Sequence, residues 1–218
     1  MLVDVIMPSK TSDQIAPLVM QCIATLKMSE PAIKFNVVLV ESAGYRALGQ
    51  DRTVMYDQDQ FCYNHALNLG LRATDNEWVI LANNDLYFHP FFMTAILAAQ
   101  KEDSSIQSFS PWNDFGGWHE RAFPGSEYSI FYGYRTSYEL AGWCIVTTRK
   151  VLNEITLSER CRLWYSDNIY ADELQKRGIV HALIRQSIVG HLCSQTIDYS
   201  SYDVGKDYDR YIGGKCED

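Results

Sequence analysis

The chain lacks the glycine signatures of the common nucleotide-binding loops. It holds no Gly-x-Gly-x-x-Gly and no Gly-Lys-Ser/Thr, so the usual dinucleotide and P-loop cradles for phosphate are excluded. Its six cysteines (Cys22, Cys62, Cys144, Cys161, Cys193, Cys216) form no Cys-x-x-Cys pair, which argues against zinc ribbons and redox motifs and for reduced packing residues. No apolar run approaches the roughly 18 residues of a membrane span. Leu2 to Met7 is too short for a signal peptide and is interrupted by Asp4, so a soluble, cytoplasmic protein without a membrane span is expected. Positive charge is also scarce: 19 Lys and Arg against 27 Asp and Glu give a net charge of −8. That balance disfavours wide, nonspecific contact with a nucleic-acid backbone.

What is present is apolar and periodic. Hydrophobic residues make up 47% of 218 residues and charged residues 21%, enough for one globular domain with a sizeable core. Val3 to Met7 predicts a strand ending at Pro8-Ser9-Lys10. Thr11 and Gln14 form a capping-box signature for a helix whose apolar face is Ile15, Leu18, Val19, Cys22, Ile23 and Leu26. Phe35 to Val40 predicts a second buried strand, stopping at Glu41, and Arg52 to Tyr56 a short third. A helix over 60–72 carries Asn64 and Asn68 four residues apart, so both amides share one face.

The chain is organised around Trp78-Val79-Ile80-Leu81-Ala82-Asn83-Asn84-Asp85. Five apolar residues run straight into two carboxamides and a carboxylate, and in an open α/β sheet ligands collect at the carboxyl ends of strands. The set supplies only oxygen ligands of the kind Mg²⁺ and Mn²⁺ accept, few enough to leave room for phosphate oxygens. A polar turn capping the helix expected from Pro90 to Lys101 is the plain alternative.

From Ser110 to Tyr138 aromatic residues, Trp112 and Trp118 among them, are interleaved with glycines. That pattern predicts loops and short strands lining a cleft, or a second small core beneath long loops. Strands are then expected over 142–146, 180–184 and 188–189. A helix ends before Gly178, with Ser166 or Asp167 at its start, and the Tyr- and Asp-rich segment from Asp198 to Asp218 reads as an extended surface segment or lid.

In this order the pieces resemble the family 2 glycosyltransferases of the GT-A fold, over about Val3 to Thr196. The resemblance rests on Val5-Ile6-Met7-Pro8-Ser9, Val37 to Ser42, Asn64 to Gly70, Asn83-Asn84-Asp85-Leu86 (an Asn-Asn-Asp form of the family's Asp-x-Asp motif), Tyr165-Ser166-Asp167 and Gly190-His191. The chain departs from the family in having Glu41 where Asp usually ends the second strand, Asn83 in place of the first carboxylate, and Ser166 where Glu often precedes the base.

The resemblance implies an α/β, Rossmann-like sandwich with a mostly parallel central sheet flanked by helices. One catalytic domain over 1–197 would comprise a nucleotide-sugar half (1–105) and an acceptor half (106–197), followed by the tail 198–218. The activity implied is inverting, metal-dependent transfer of a sugar from a nucleoside diphosphate sugar, UDP-sugar favoured, to a hydroxyl acceptor. Asp167 is then the base, Asp85 and His191 hold Mn²⁺ or Mg²⁺, and Pro8, Ser9, Glu41, Asn64, Asn68, Asn83 and Asn84 bind the donor. Trp112, Trp118, Trp143 and Tyr165 are the candidates for the acceptor, a glycan or a hydroxymethylated DNA base. A sugar nucleotidyltransferase and a noncatalytic nucleotide- or sugar-binding module are the other classes compatible with the residues.

Overall fold

The computed structural model describes residues 1–45, 48–192 and 203–213. Strand β1 (Leu2–Ser9) is buried from Val3 onward, and its period of two divides the core. Val3, Val5 and Met7 enter one apolar cluster and Ile6 the other. Strand β2 (Lys34–Glu41) lies parallel to β1, and β3 (Arg52–Met55) lies parallel beyond it. On the other side β1 pairs in parallel with β4 (Trp78–Ala82), which sends Trp78, Ile80 and Ala82 to the first cluster and Val79 and Leu81 to the second. Both faces of β1, β2 and β4 are covered, which is why they read as largely apolar runs, unbroken in β4.

Helices α1 (Ala16–Met28) and α3 (Phe92–Glu102) cover the first face with Val19, Cys22, Ile23, Leu26, Phe92, Met93 and Ile96. Helices α2 (Tyr63–Arg72), α5 (Arg149–Glu154) and α6 (Ser166–Lys176) cover the second with Ala66, Leu67, Val151, Tyr170 and Leu174. Gly70 permits the close approach of α2: a Cβ there would lie 2.3 Å from Ile6 Cγ2.

Among the described residues nine strands run in the order β3-β2-β1-β4-β8-β6-β9-β5, with β7 added on β9. Here β5 is Leu86–Phe88, β6 Ile106–Trp112, β7 Ile130–Tyr132, β8 Cys144–Thr148 and β9 Val180–His191. Strand β8 is antiparallel to β4 and β6, and β5 and β7 are antiparallel to β9, while β6 and β9 are parallel. The sheet is therefore mostly parallel and flanked by helices, the expected fold class. A short 3₁₀ turn and helix α4 (Trp118–Ala122) occupy the aromatic stretch.

Several local expectations are corrected. The Thr11–Gln14 capping box does not form. Thr11 gives both its N–H and its hydroxyl to Glu41, so α1 starts later, with Pro in its first turn. Two short strands over 180–184 and 188–189 are one strand, β9, whose register against β6 shifts between Ile184 and Ile188. Residues 204–213 of the expected extended tail form helix α7 (Val204–Gly213), which buries Asp207 and Tyr211. The rest of that tail apart from Asp203, together with Cys193 and Cys216, lies outside the described residues. Cys22, Cys62, Cys144 and Cys161 are buried and free.

Candidate functional site

The carboxyl ends of β1, β2 and β4 meet at one edge of the sheet and are tied by a directional chain of hydrogen bonds. Glu41, fully buried at the end of β2, accepts the N–H of Thr11 (3.0 Å) and of Ala43 (2.7 Å) at Oε1, and the Thr11 hydroxyl at Oε2. That hydroxyl has a single proton, so across 2.7 Å Ser9 Oγ must be the donor to Thr11 Oγ1. Ser9 Oγ in turn accepts from Asn84 Nδ2 at 2.9 Å. Of the residues expected to hold the donor, Ser9, Glu41 and Asn84 thus brace the strand tips, and Pro8 lies buried in β1 opposite Val40.

Asn64 and Asn68 do share one face of α2. That face is used internally: Asn64 Nδ2 donates to Ser158 O (2.8 Å), and Asn68 Nδ2 to Leu157 O (3.0 Å) and Glu159 Oε1 (2.8 Å). Asn83 is different. Its N–H bonds Trp143 O at 2.8 Å, and its Oδ1 accepts the Tyr63 hydroxyl at 2.9 Å, which sets the amide at the mouth between β4 and β8.

Asp85, two residues on, is 1% exposed. Strand β5 turns back against the end of β9, placing Leu86 opposite His191, and the Leu192 N–H bonds Asp85 O at 3.1 Å. This brings Asp85 Oδ1 to 3.5 Å from His191 Nε2. Two ligand atoms each about 2.1 Å from one octahedral ion lie about 3 Å apart, so this carboxylate and imidazole fit a shared divalent cation after a small side-chain adjustment. Among the described residues no group of three or more His, Cys, Asp or Glu side chains is arranged to hold a metal. Among the described residues the candidate ligands are thus this pair, which leaves positions for water and phosphate oxygens. The His191 ring stacks on Trp143 (centroids 5.2 Å, 18°), and the His191 backbone N–H donates to Asn113 Oδ1 at 3.0 Å.

Asp167 stands in the first turn of α6. Its residue surface is partly exposed, yet its carboxyl group lies deep against Gly142, where a Cβ would come within 2.7 Å of Oδ2. Two influences oppose each other here. The Asn168 N–H donates to Oδ1 at 3.0 Å and favours the anion, but burial dominates and raises the pKa above the ordinary carboxylate value. A helix start alone would have lowered it. Asp167 and His191 are joined through two consecutive residues, since Gly142 touches the one and Trp143 stacks on the other. Tyr63 lies within the electrostatic reach of both Asp167 and Asp85.

The remaining acceptor candidates separate. Trp143 belongs to the site through His191, whereas Trp118 is exposed and donates its indole N–H to Ser137 O at 2.6 Å. Trp112 is packed among His119, Phe123 and Phe131, with Arg185 over its ring. Its faces are covered, because β6 carries it into a core beneath the loops rather than to a cleft wall. Tyr165 has φ 64° and stacks on Tyr211 of α7 at 5.3 Å. Tyr63, Asn113 and Gly142 had no signal in the sequence, since a strand-like Gly142-Trp143 and a helix-start Tyr acquire their roles only from chain segments brought beside them.

No protein-family model and no curated protein matches the chain. Solved structures do. The glucosyl-3-phosphoglycerate synthase from Mycobacterium tuberculosis, in complex with Mn²⁺, uridine diphosphate and glucosyl-3-phosphoglycerate, aligns at TM-score 0.64 and 13% identity over 99% of this chain and 79% of that one. The mannosyltransferase of Pyrobaculum calidifontis, in complex with GDP-Man and Mn²⁺, aligns at 0.64 and 15% over 99% and 64%. S. aureus TarS 1–349, in complex with UDP-GlcNAc, aligns at 0.65 and 14% over 96% and 64%. The chain thus spans 64% of the length of each of the last two. At such identities the likeness is one of fold, and the fold is GT-A.

Proposed function

We propose that this protein is a divalent-metal-dependent glycosyltransferase that moves a sugar from a nucleoside diphosphate sugar to a hydroxyl acceptor with inversion. The observation that carries the reading is the convergence, at the carboxyl edge of a GT-A sheet, of an Asp85–His191 pair 3.5 Å apart with a buried Asp167 of raised pKa. The similar solved structures hold UDP or GDP-Man with Mn²⁺, or UDP-GlcNAc, in keeping with this donor class.

Asp85 and His191 would hold the ion, and the imidazole in the pair favours Mn²⁺ over Mg²⁺. When bound, the ion supplies Lewis-acid neutralisation of the diphosphate. The chain's own residues do the rest. Asn83, held by Tyr63 and Trp143, presents its amide beside the donor. Asp167 accepts the proton of the acceptor hydroxyl as that oxygen bonds to the anomeric carbon and the bond to the diphosphate breaks. A raised pKa makes Asp167 a stronger base than an ordinary carboxylate. Trp143, next to Gly142 and stacked on His191, borders this position.

A glycan-type acceptor is favoured over a hydroxymethylated DNA base. The arginines of the aromatic stretch are engaged locally, Arg121 with Gly116 O and Arg135 with Glu139, so they do not form a phosphate-binding track.

The test is thermal stabilisation by a panel of nucleoside diphosphates and diphosphate sugars, with and without Mn²⁺, on wild type and Asp85→Ala. A ligand at 100 times its Kd raises the melting temperature of a domain this size by about 5–10 °C. A metal-dependent shift that disappears in Asp85→Ala, followed by sugar transfer with release of the nucleoside diphosphate, is the expected result. No shift with any donor removes the reading, and pyrophosphate as product would make the protein a nucleotidyltransferase.

A further inference from the structure

Helix α7 carries two buried residues four apart, Asp207 and Tyr211, and both act on the segment that leads into Asp167. The Asp207 carboxylate accepts three consecutive backbone N–H groups, Arg162 (3.0 Å), Leu163 (2.9 Å) and Trp164 (3.1 Å). Arg210 adds a fourth donor at 2.9 Å. Successive N–H groups turned to one point form an anion-binding nest, and here the anion is a side chain of the same protein. Tyr211 closes the other side: its ring stacks on Tyr165 at 5.3 Å and its hydroxyl donates to Asp172 of α6 at 2.9 Å. From the opposite direction α2 holds the same segment, the Tyr63 N–H donating to Arg162 O at 2.7 Å.

Between these supports stands Tyr165, left-handed at φ 64° and the residue before α6. A non-glycine residue in that region is strained and persists only where its surroundings over-determine it. The conformation matters because it sets the direction in which α6 departs. Asp167 is two residues on, with its carboxyl wedged against Gly142.

We infer that Asp207 is a positioning residue for sugar transfer: by filling the 162–164 nest it holds Tyr165 in its left-handed turn and so fixes the Asp167 carboxylate against Gly142. The inference rests on the assignment of Asp167 as the base, and it reaches beyond it by making the C-terminal helix part of the transfer apparatus. Neutralising Asp207 leaves the donor and metal residues that follow β4 and end β9 untouched. It deprives the nest of its anion, because an amide nitrogen cannot accept an N–H.

The experiment compares wild type with Asp207→Asn by hydrogen exchange and by kinetics. In wild type the amides of Leu163, Trp164 and the first turn of α6 are expected to be protected. In Asp207→Asn they exchange faster while the β1 and β4 amides keep their protection. Displacement of a reacting group by about 1 Å costs about 100-fold, so kcat is expected to fall about 10- to 100-fold with the donor KM unchanged. Unaltered protection of the first turn of α6 would overturn the inference, as would a parallel loss of protection across the whole sheet or an equal loss of donor affinity. If Asp207→Asn does not accumulate as folded protein, Asp207→Glu keeps the charge one methylene further out and is judged by the same readouts. Exchange reads the positioning without turnover, so absence of transfer by the wild type would count against the glycosyltransferase assignment and leave the exchange result to judge the clamp.

Discussion

Glu41 at the end of β2 and Asp167 in the first turn of α6 are both carboxylates enclosed by the protein, and their surroundings make them opposites. Glu41 ends β2 within a ring of donors, two N–H groups and a hydroxyl, and through Thr11, Ser9 and Asn84 it knits three strand tips together. Asp167 is pressed against Gly142 and receives the N–H of Asn168, and its pKa rises because burial outweighs that donor. Donors convert a buried carboxylate into scaffold, while apolar enclosure keeps one basic. The sequence offers no hint of this difference, since each is an acid at the end of an apolar run.

The largest effect should come from Asp167→Asn, which removes the proposed base and keeps the shape. General-base catalysis contributes about 10²–10⁴-fold, so transfer should fall by that factor while the Mn²⁺-dependent thermal shift with donor is kept. Equal loss of both would make Asp167 another scaffold and erase the contrast with Glu41. In the wild type, kcat should fall as the pH drops through the raised pKa of Asp167, at a higher pH than an ordinary Asp would give, because only the ionised form accepts a proton. An acid limb in the usual Asp range would mean that water reaches the carboxyl group. Next comes Gly142→Ala, whose Cβ would lie 2.5 Å from Asp167 Cβ. One methyl must move the base, and a fall in kcat of about 100-fold at unchanged donor affinity is expected; retention of full activity would show that the wedge is not used.

Half of this contrast was legible before folding. The central strands β1, β2 and β4 announce themselves because both of their faces are buried, and Asp85 because a polar tip follows directly. Strand β6 did not, since Ile106–Trp112 alternates with serines and contains Pro111. Its serines are buried for a partner's sake: Ser108 meets Tyr170 and His181, and Ser110 accepts the Ala141 N–H. The direction of that buried chain can be derived from the fold alone. His181 Nε2 donates to Glu139 O, so Nδ1 accepts from Ser108, which accepts from Tyr170. Likewise the spacing of Asn64 and Asn68 predicts the face they share, but whether that face meets a ligand or the chain's own carbonyls depends on residues some 90 positions away. Periodicity reports which side of an element is buried, and it is silent about which polar partner arrives there.

The smaller effects concern stability, and there the two carboxylates should respond with opposite sign. Glu41→Gln replaces an acceptor oxygen with an amide nitrogen and strands a buried donor, a loss of about 1–3 kcal/mol, seen as a melting temperature lower by several degrees. Asp167→Asn should do the reverse. A carboxyl group whose pKa is raised on folding binds more protons in the native state than in the unfolded state between its two pKa values, so stability declines as pH rises through that window and stays lower above it. At pH 7 the Asn variant escapes that loss and should melt above the wild type, with the gap narrowing as the pH is lowered below the ordinary Asp range, where the wild-type carboxyl is protonated in both states. A variant that loses transfer yet gains stability has removed a group held against its own preference for water, the mark of a residue kept for chemistry. Destabilisation of Asp167→Asn at pH 7 would instead place Asp167 beside Glu41, as a carboxylate whose charge the fold needs.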